Sequence, residues 1–149
     1  MRPLRRGFVV MGVVAATWAS AQQAPTASST VAPGLRAEVI HWWTSGGESA
    51  AAKALADAYK AQGGVWVDMA VALGEQARAI AINRIVGGNP PTAAQFNTSK
   101  QFLDMVDQGM LNPIDDVARK EGWDKFLPET VLQAVRVKGH YYAAPINIH

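Results

Sequence analysis

The chain has 149 residues, the length of a single domain, and nearly half of them are hydrophobic, enough for a packed core. It has no cysteine, which excludes a disulfide framework and a thiolate metal site. The formal charge of +2 comes from 14 Lys and Arg against 12 Asp and Glu. That excess is concentrated at the amino terminus, so it does not describe a basic surface.

Residues 1–21 read MRPLRRGFVVMGVVAATWASA. Arg2, Arg5 and Arg6 precede an apolar run from Gly7 to Thr17, and Ala19-Ser20-Ala21 has the small-x-small pattern of a signal peptidase site. The run is too short for a spanning helix, which needs about 20 residues. The segment therefore reads as a cleavable secretory signal peptide, and the paired arginines leave both the general and the twin-arginine export routes open. Removing its three arginines leaves 11 Lys and Arg against 12 Asp and Glu, a net charge of −1. The remaining basic residues are scattered singly, so no nucleic-acid footprint is left. An exported chain that relies on its core alone fits the bacterial periplasm better than an extracellular disulfide module.

Residues 22–35 are rich in Ala, Ser, Thr and Pro and poor in charge, a flexible lead-in. The first strand is expected over Glu38–Trp43, β-branched and aromatic and apolar on both parities, as a strand buried on both faces is. Ser45 and Glu48 form an S-x-x-E capping box for a helix over about 48–62, with Ala51, Leu55, Ala58 and Tyr59 on its inward face. Val65–Leu73 reads as a second strand. The next helix, about 75–86, carries Ala77, Ile80, Ala81 and Ile85 on one face and stops at the GGNPP turn. Thr92–Asn97 reads as a third strand, followed by a helix with Phe102, Met105 and Val106 inward. Two short helices come next, the first with Asp115 or Asp116 as its cap and the second opening at Pro128. A hairpin turning at Lys138-Gly139 follows, and its second strand runs into Pro145.

The order β-α-β-α-β-α-α-α-β-β predicts an α/β fold with a mostly parallel sheet and helices on both faces. Ligands of such sheets bind at the carboxyl ends of the strands. The loops WWTSGGE, VALGE and QFNTS should therefore converge on one edge, bringing Trp42, Trp43, Glu48, Gln95 and Asn97 together. Indole faces, a carboxylate at a helix start and two amides suit a sugar, whose C–H faces stack on aromatic rings while its hydroxyls need paired donors and acceptors. Since neighbouring strand residues point to opposite faces, one tryptophan is expected in the core and the other on the site wall. An enzyme is not expected. Asp115 and Asp116 are adjacent and do not make a glycosidase pair. His41, His140 and His149 lack zinc-ligand spacing, and no phosphate loop or nucleophile elbow is present. No metal or other cofactor is called for.

The stretches EVIHWWTSGGESAAAKALADAYKAQG, RIVGGNPPTAAQFN, LNPIDDVARKEGWDKFLP and KGHYYAAPINIH, in this order, resemble the solute-binding proteins of bacterial ABC sugar importers. The likeness is to the glucose/mannose-type members of extracellular solute-binding family 1, and it runs from about Arg36 to the end. The resemblance implies two α/β lobes joined by a hinge, with a sugar between them, a membrane permease as transient partner, a monomeric state and a periplasmic location. It implies that 36–149 is the amino-terminal lobe of such a protein with the second lobe missing, and it matches binding positions to Trp42, Trp43, Glu48, Gln95, Asn97, Asn147 and His149. Leu73 departs from the glycine-rich turn common after the family's second strand. Two other readings of the residues stand beside this one, a fragment of an exported carbohydrate-active enzyme and a truncated remnant without function.

Overall fold

The computed structural model describes residues 34–147. The expected signal peptide, most of the lead-in and His149 lie outside the described residues. Strand β1 (Arg36–His41) leads into helix α1 (Gly46–Ala61), strand β2 (Val65–Ala70), helix α2 (Gly74–Val86) and the two-residue strand β3 (Ala93–Ala94). Helices α3 (Lys100–Asp107), α4 (Asp115–Glu121) and α5 (Glu129–Val135) follow, with a 3-10 turn at Trp123–Lys125 between the last two. Strands β4 (Arg136–Val137) and β5 (His140–Tyr141) close the described chain.

The main sheet has the order β2-β1-β3 and is parallel throughout, with Arg36 opposite Val65, His41 opposite Ala70, and Ile40 opposite Ala94. Strand alternation then sorts the side chains. Ile40 and Met69 face α2, where they pack with Ala77, Ala81 and Ala94. His41, Trp43, Trp66 and Asp68 face the other way and line a depression with Ser49, Ala52 and Ala56 of α1. Helices cover both faces, as the element order predicts, and the fold is an α/β lobe.

The face of α1 differs from the expectation. Ala52 and Ala56 are buried, whereas Ala51 and Ala58 are exposed and Leu55 is 50% exposed. The sheet beneath is already filled by Trp43 and Trp66, so the helix lies on its smallest side chains and turns the larger Leu55 outward. Ser45 occupies the N-cap position in extended backbone, but its side chain makes no cap hydrogen bond, so the capping box is not formed. The hydroxyl that bonds locally is that of Ser49, donating to the Gly46 carbonyl at 3.0 Å. Strand β1 ends at His41, two residues short of the expected end, which leaves both tryptophans beyond the strand.

The apolar faces of α2 and α3 are as expected. Ala77 and Ala81 are fully buried under α2, and Phe102, Met105 and Val106 under α3. A second core gathers Ala118, Trp123 and Leu132 with Tyr141 packed against them. Asp115 does not cap α4. Its carboxylate accepts the Tyr141 backbone N–H at 3.0 Å and meets His140 Nδ1 at 2.9 Å, tying the helix start to the hairpin. These bonds, the backbone one first, hold the Asp115 carboxyl below its ordinary range. Asp116 pairs with Arg119. Pro128 stands at the N-cap of α5, one position before the first turn. The hairpin turns at Lys138 and Gly139, both with positive φ (52° and 87°), the left-handed pair that a two-residue hairpin turn requires.

Candidate functional site

The central strand β1 is flanked by β2 on one side and β3 on the other, so the strand order reverses at β1. In an open α/β sheet the crevice outside the carboxyl ends at such a point is where ligands bind. Three loops meet there, 42–45 after β1, 71–73 after β2 and 95–99 after β3. Their backbones are joined by bonds that prolong the sheet, Val71 N–H to the His41 carbonyl at 2.8 Å and Gln95 N–H to the Ile40 carbonyl at 2.9 Å. Each following helix, α1, α2 and α3, begins without a side-chain cap bond at Ser45, Leu73 and Ser99. The positive ends of three helices thus open onto one edge, which favours oxygen-rich ligands.

The two tryptophans separate to opposite faces. Trp43 is 7% exposed and lies on the α1 side, with its indole N–H buried and without a hydrogen-bond partner among the described residues. Trp42 lies on the α2 side, half-buried against the Ile40, Ala77 and Ala81 cluster. Its backbone N–H donates to Gln95 Oε1 at 3.1 Å, so the loops after β1 and β3 are latched by one side chain. The ring rests on the first turn of α2. A Cβ at Gly74 would stand 3.2 Å from its Cδ2, and the Arg78 guanidinium carbon lies 5.5 Å from its centroid.

Of the other candidates, Glu48 is exposed in the first turn of α1. Asn97 is exposed, and its carbonyl accepts the Ser99 N–H at 2.8 Å. Asn147 is exposed in the irregular segment after β5. Leu73, the residue that departs from the family's turn, is the N-cap of α2 and is 67% exposed. Among the described residues the structure joins Trp42 to Gln95 by a direct bond and places Trp43, Glu48 and Asn97 on the loops and helix start around them.

Sequence reading missed two neighbours of the site. Arg78 stands four residues after Gly74, the helical spacing that returns a side chain to the same face, and this was the available signal. The other is a polar set on the α1 side. The Trp43 backbone N–H donates to His41 Nδ1 at 3.2 Å, so the ring proton sits on Nε2, which donates to Asp68 Oδ1 at 2.8 Å. The Trp66 indole N–H donates to the same oxygen at 3.1 Å. These bonds, that of His41 first, hold the Asp68 carboxyl below its ordinary range. A charged residue in the middle of β2 was the sequence signal for this set. No group of three or more His, Asp or Glu is arranged to hold a metal among the described residues. None of the described helices is long and apolar enough to cross a membrane.

A parallel α/β lobe with an aromatic and polar loop edge at its switch point is the class of structure that carries small-molecule sites. No family model matches the chain. Over 146 residues, 97% of this chain and 33% of the relative, it is 40% identical to a protein of Rhizobium meliloti named a probable sugar-binding periplasmic protein. A protein of the same name from Brucella melitensis is 42% identical over 114 residues, 75% of this chain and 27% of the relative. A protein of Pyrococcus horikoshii, described as an uncharacterized ABC transporter extracellular-binding protein, is 31% identical over 156 aligned positions, 96% of this chain and 33% of the relative. The chain spans about a third of the length of these relatives.

Proposed function

We propose that this chain supplies one wall of the sugar site of a periplasmic binding protein serving an ABC importer, and that it performs no catalysis. The observation that carries the reading is the half-buried Trp42 ring at the switch point, latched through its backbone to Gln95. An indole offers a flat apolar face for the C–H side of a pyranose, and Gln95, Glu48 and Asn97 around it offer donors and acceptors for hydroxyls. Trp43 supports that wall from behind as core. The names of the relatives, sugar-binding and periplasmic, agree with this chemistry.

In this reading residues 1–21 are the export signal and 22–35 the lead-in to the lobe. Residues 36–149 act as the amino-terminal lobe, and Asn147 and His149 are among its sugar-binding residues. The ligand is a monosaccharide of the glucose or mannose kind, the protein acts as a monomer, and its transient partner is the importer's permease. The test is a sugar titration followed by the indole N–H signals of the five tryptophans in a proton–nitrogen spectrum. The Trp42 signal shifts saturably with a hexose, and Trp42→Ala moves the response of its neighbours to higher sugar while the Trp123 signal stays fixed in both proteins. A spectrum unchanged by every hexose and disaccharide tried overturns the proposal.

A further inference from the structure

We propose that Arg78 is a positioning residue of this site, one that fixes the orientation of the Trp42 ring and turns a guanidinium edge toward the ligand; the inference rests on the sugar-site reading above.

Trp42 follows the end of β1 by one residue, and its backbone is held by Gln95, but neither fact fixes its side chain. Two groups on α2 do so. Gly74, the first residue of the helix, has no side chain, and the space where a Cβ would stand lies 3.2 Å from the indole and 3.3 Å from Arg78 Nη1. The ring and the guanidinium therefore share the bare backbone of Gly74 as a floor. Four residues on, Arg78 returns to the same face and places its guanidinium carbon 5.5 Å from the ring centroid, within cation–π range. Arginine suits this position because its planar group stacks on an aromatic ring and still presents N–H donors at its edge.

Those donors are not spent on an acid. Among the described residues Arg78 has no ion pair, in contrast to Arg84 on the same helix, which is engaged by Glu38 through two bonds. Arg78 also borders the open depression of about 420 Å³ that Glu75, Asn83 and Gln101 line between α2 and α3. The guanidinium thus lies over the ring and borders open solvent at the same time, so a hydroxyl or ring oxygen of a sugar at the accessible edge of Trp42 comes within reach of its fork. Losing the stack removes the ring's orientation and the adjacent donors together.

The experiment compares the unmodified full chain with Arg78→Met, which keeps the apolar stem, and Arg78→Lys, which keeps the charge without the plane. Each is titrated with glucose and with mannose and followed at the Trp42 indole signal. The expected result is affinity about three- to tenfold weaker in Arg78→Met and an intermediate loss in Arg78→Lys, the scale of one cation–π contact and its donors. The Trp42→Ala variant serves as the second background, followed at the remaining indole signals. There Arg78→Met causes no further loss, whereas a merely structural role would weaken both backgrounds alike. Affinity within about twofold of the unmodified chain in Arg78→Met, with a folded spectrum, overturns the role of Arg78 and leaves the sugar site standing. An unmodified chain that responds to neither sugar overturns the sugar-site reading and this inference with it.

Discussion

At Gly64 the chain has no room for a side chain, since a Cβ there would stand 2.2 Å from Cε1 of Tyr59. That ring is fixed on two sides. Its hydroxyl donates to the Leu35 carbonyl at 3.2 Å, and its edge meets Trp66 at a centroid distance of 6.2 Å. The glycine is thus selected by a close approach and not by a left-handed backbone. Gly64→Ala is expected to swing Tyr59 out and break both interactions, at a cost of about 1–2 kcal/mol. A urea unfolding curve reads this directly, and a midpoint equal to or above that of the parent contradicts it. The same logic separates the paired tryptophans. Trp43 is closed in by Ala52 and Ala56, while Trp42 is left with an accessible edge because its neighbours on α2 are Gly74 and Arg78.

Helix α2 is tied to the sheet by two kinds of force. Ala77 and Ala81 let its backbone approach Ile40 closely, and near its end Arg84 grips Glu38 of β1 through two parallel N–H···O bonds of 2.8 Å each. Arg84, through these hydrogen bonds, holds the Glu38 carboxyl below its ordinary value of 4.5. A carboxyl lowered by folding stabilises the protein above its unfolded pKa, and that contribution is lost as pH falls through the folded value. Arg84→Met is therefore expected to lower the unfolding midpoint at neutral pH, and the gap from the parent should narrow as pH drops below 4.5. A gap that is constant down the acid limb, measured by denaturant unfolding at several pH values, would count against the pairing. At this scale the order of elements was legible in the sequence, because most of the helices have an apolar period and most of the turns a glycine or proline. The faces of α2 and α3 were legible for the same reason. The face of α1 was not, since an alanine-rich helix offers several equivalent stripes and the sheet's tryptophans decide which one turns inward. The ends of β1, β2 and β3 were also misjudged, because propensity rewards aromatic and apolar residues whether or not a partner strand is there to bond them. The convergence of the three loops followed from topology alone. The latch from Gln95 to Trp42 and the stack of Arg78 depend on side-chain directions that no residue pattern records.

Taken as a whole, the described molecule is one α/β layer with a smaller second core of α4, α5 and the hairpin beside it. Its candidate site is an open edge and not an enclosed cavity. Small ligands owe most of their affinity to being surrounded on nearly every side. If residues 36–149 are one lobe of a two-lobe protein, the closing wall is a separate body, and closure supplies much of the binding energy. The chain freed of residues 1–21 is accordingly expected to bind hexoses more weakly than the micromolar range, with saturation only at high sugar. Isothermal titration calorimetry giving a micromolar Kd for this chain would show that the single edge suffices and would remove the need for a second lobe in the mechanism.

The bond from Trp42 N–H to Gln95 Oε1 also settles the polarity of a side chain that could otherwise present either end. One lone pair of its oxygen is taken by the backbone, and its Nε2 makes no hydrogen bond to another described residue. Gln95 therefore keeps its NH₂ group as a free donor. A ligand atom settling beside that group must be an acceptor, and a change of Gln95 to Glu would replace the donor with a negative charge while leaving the latch in place.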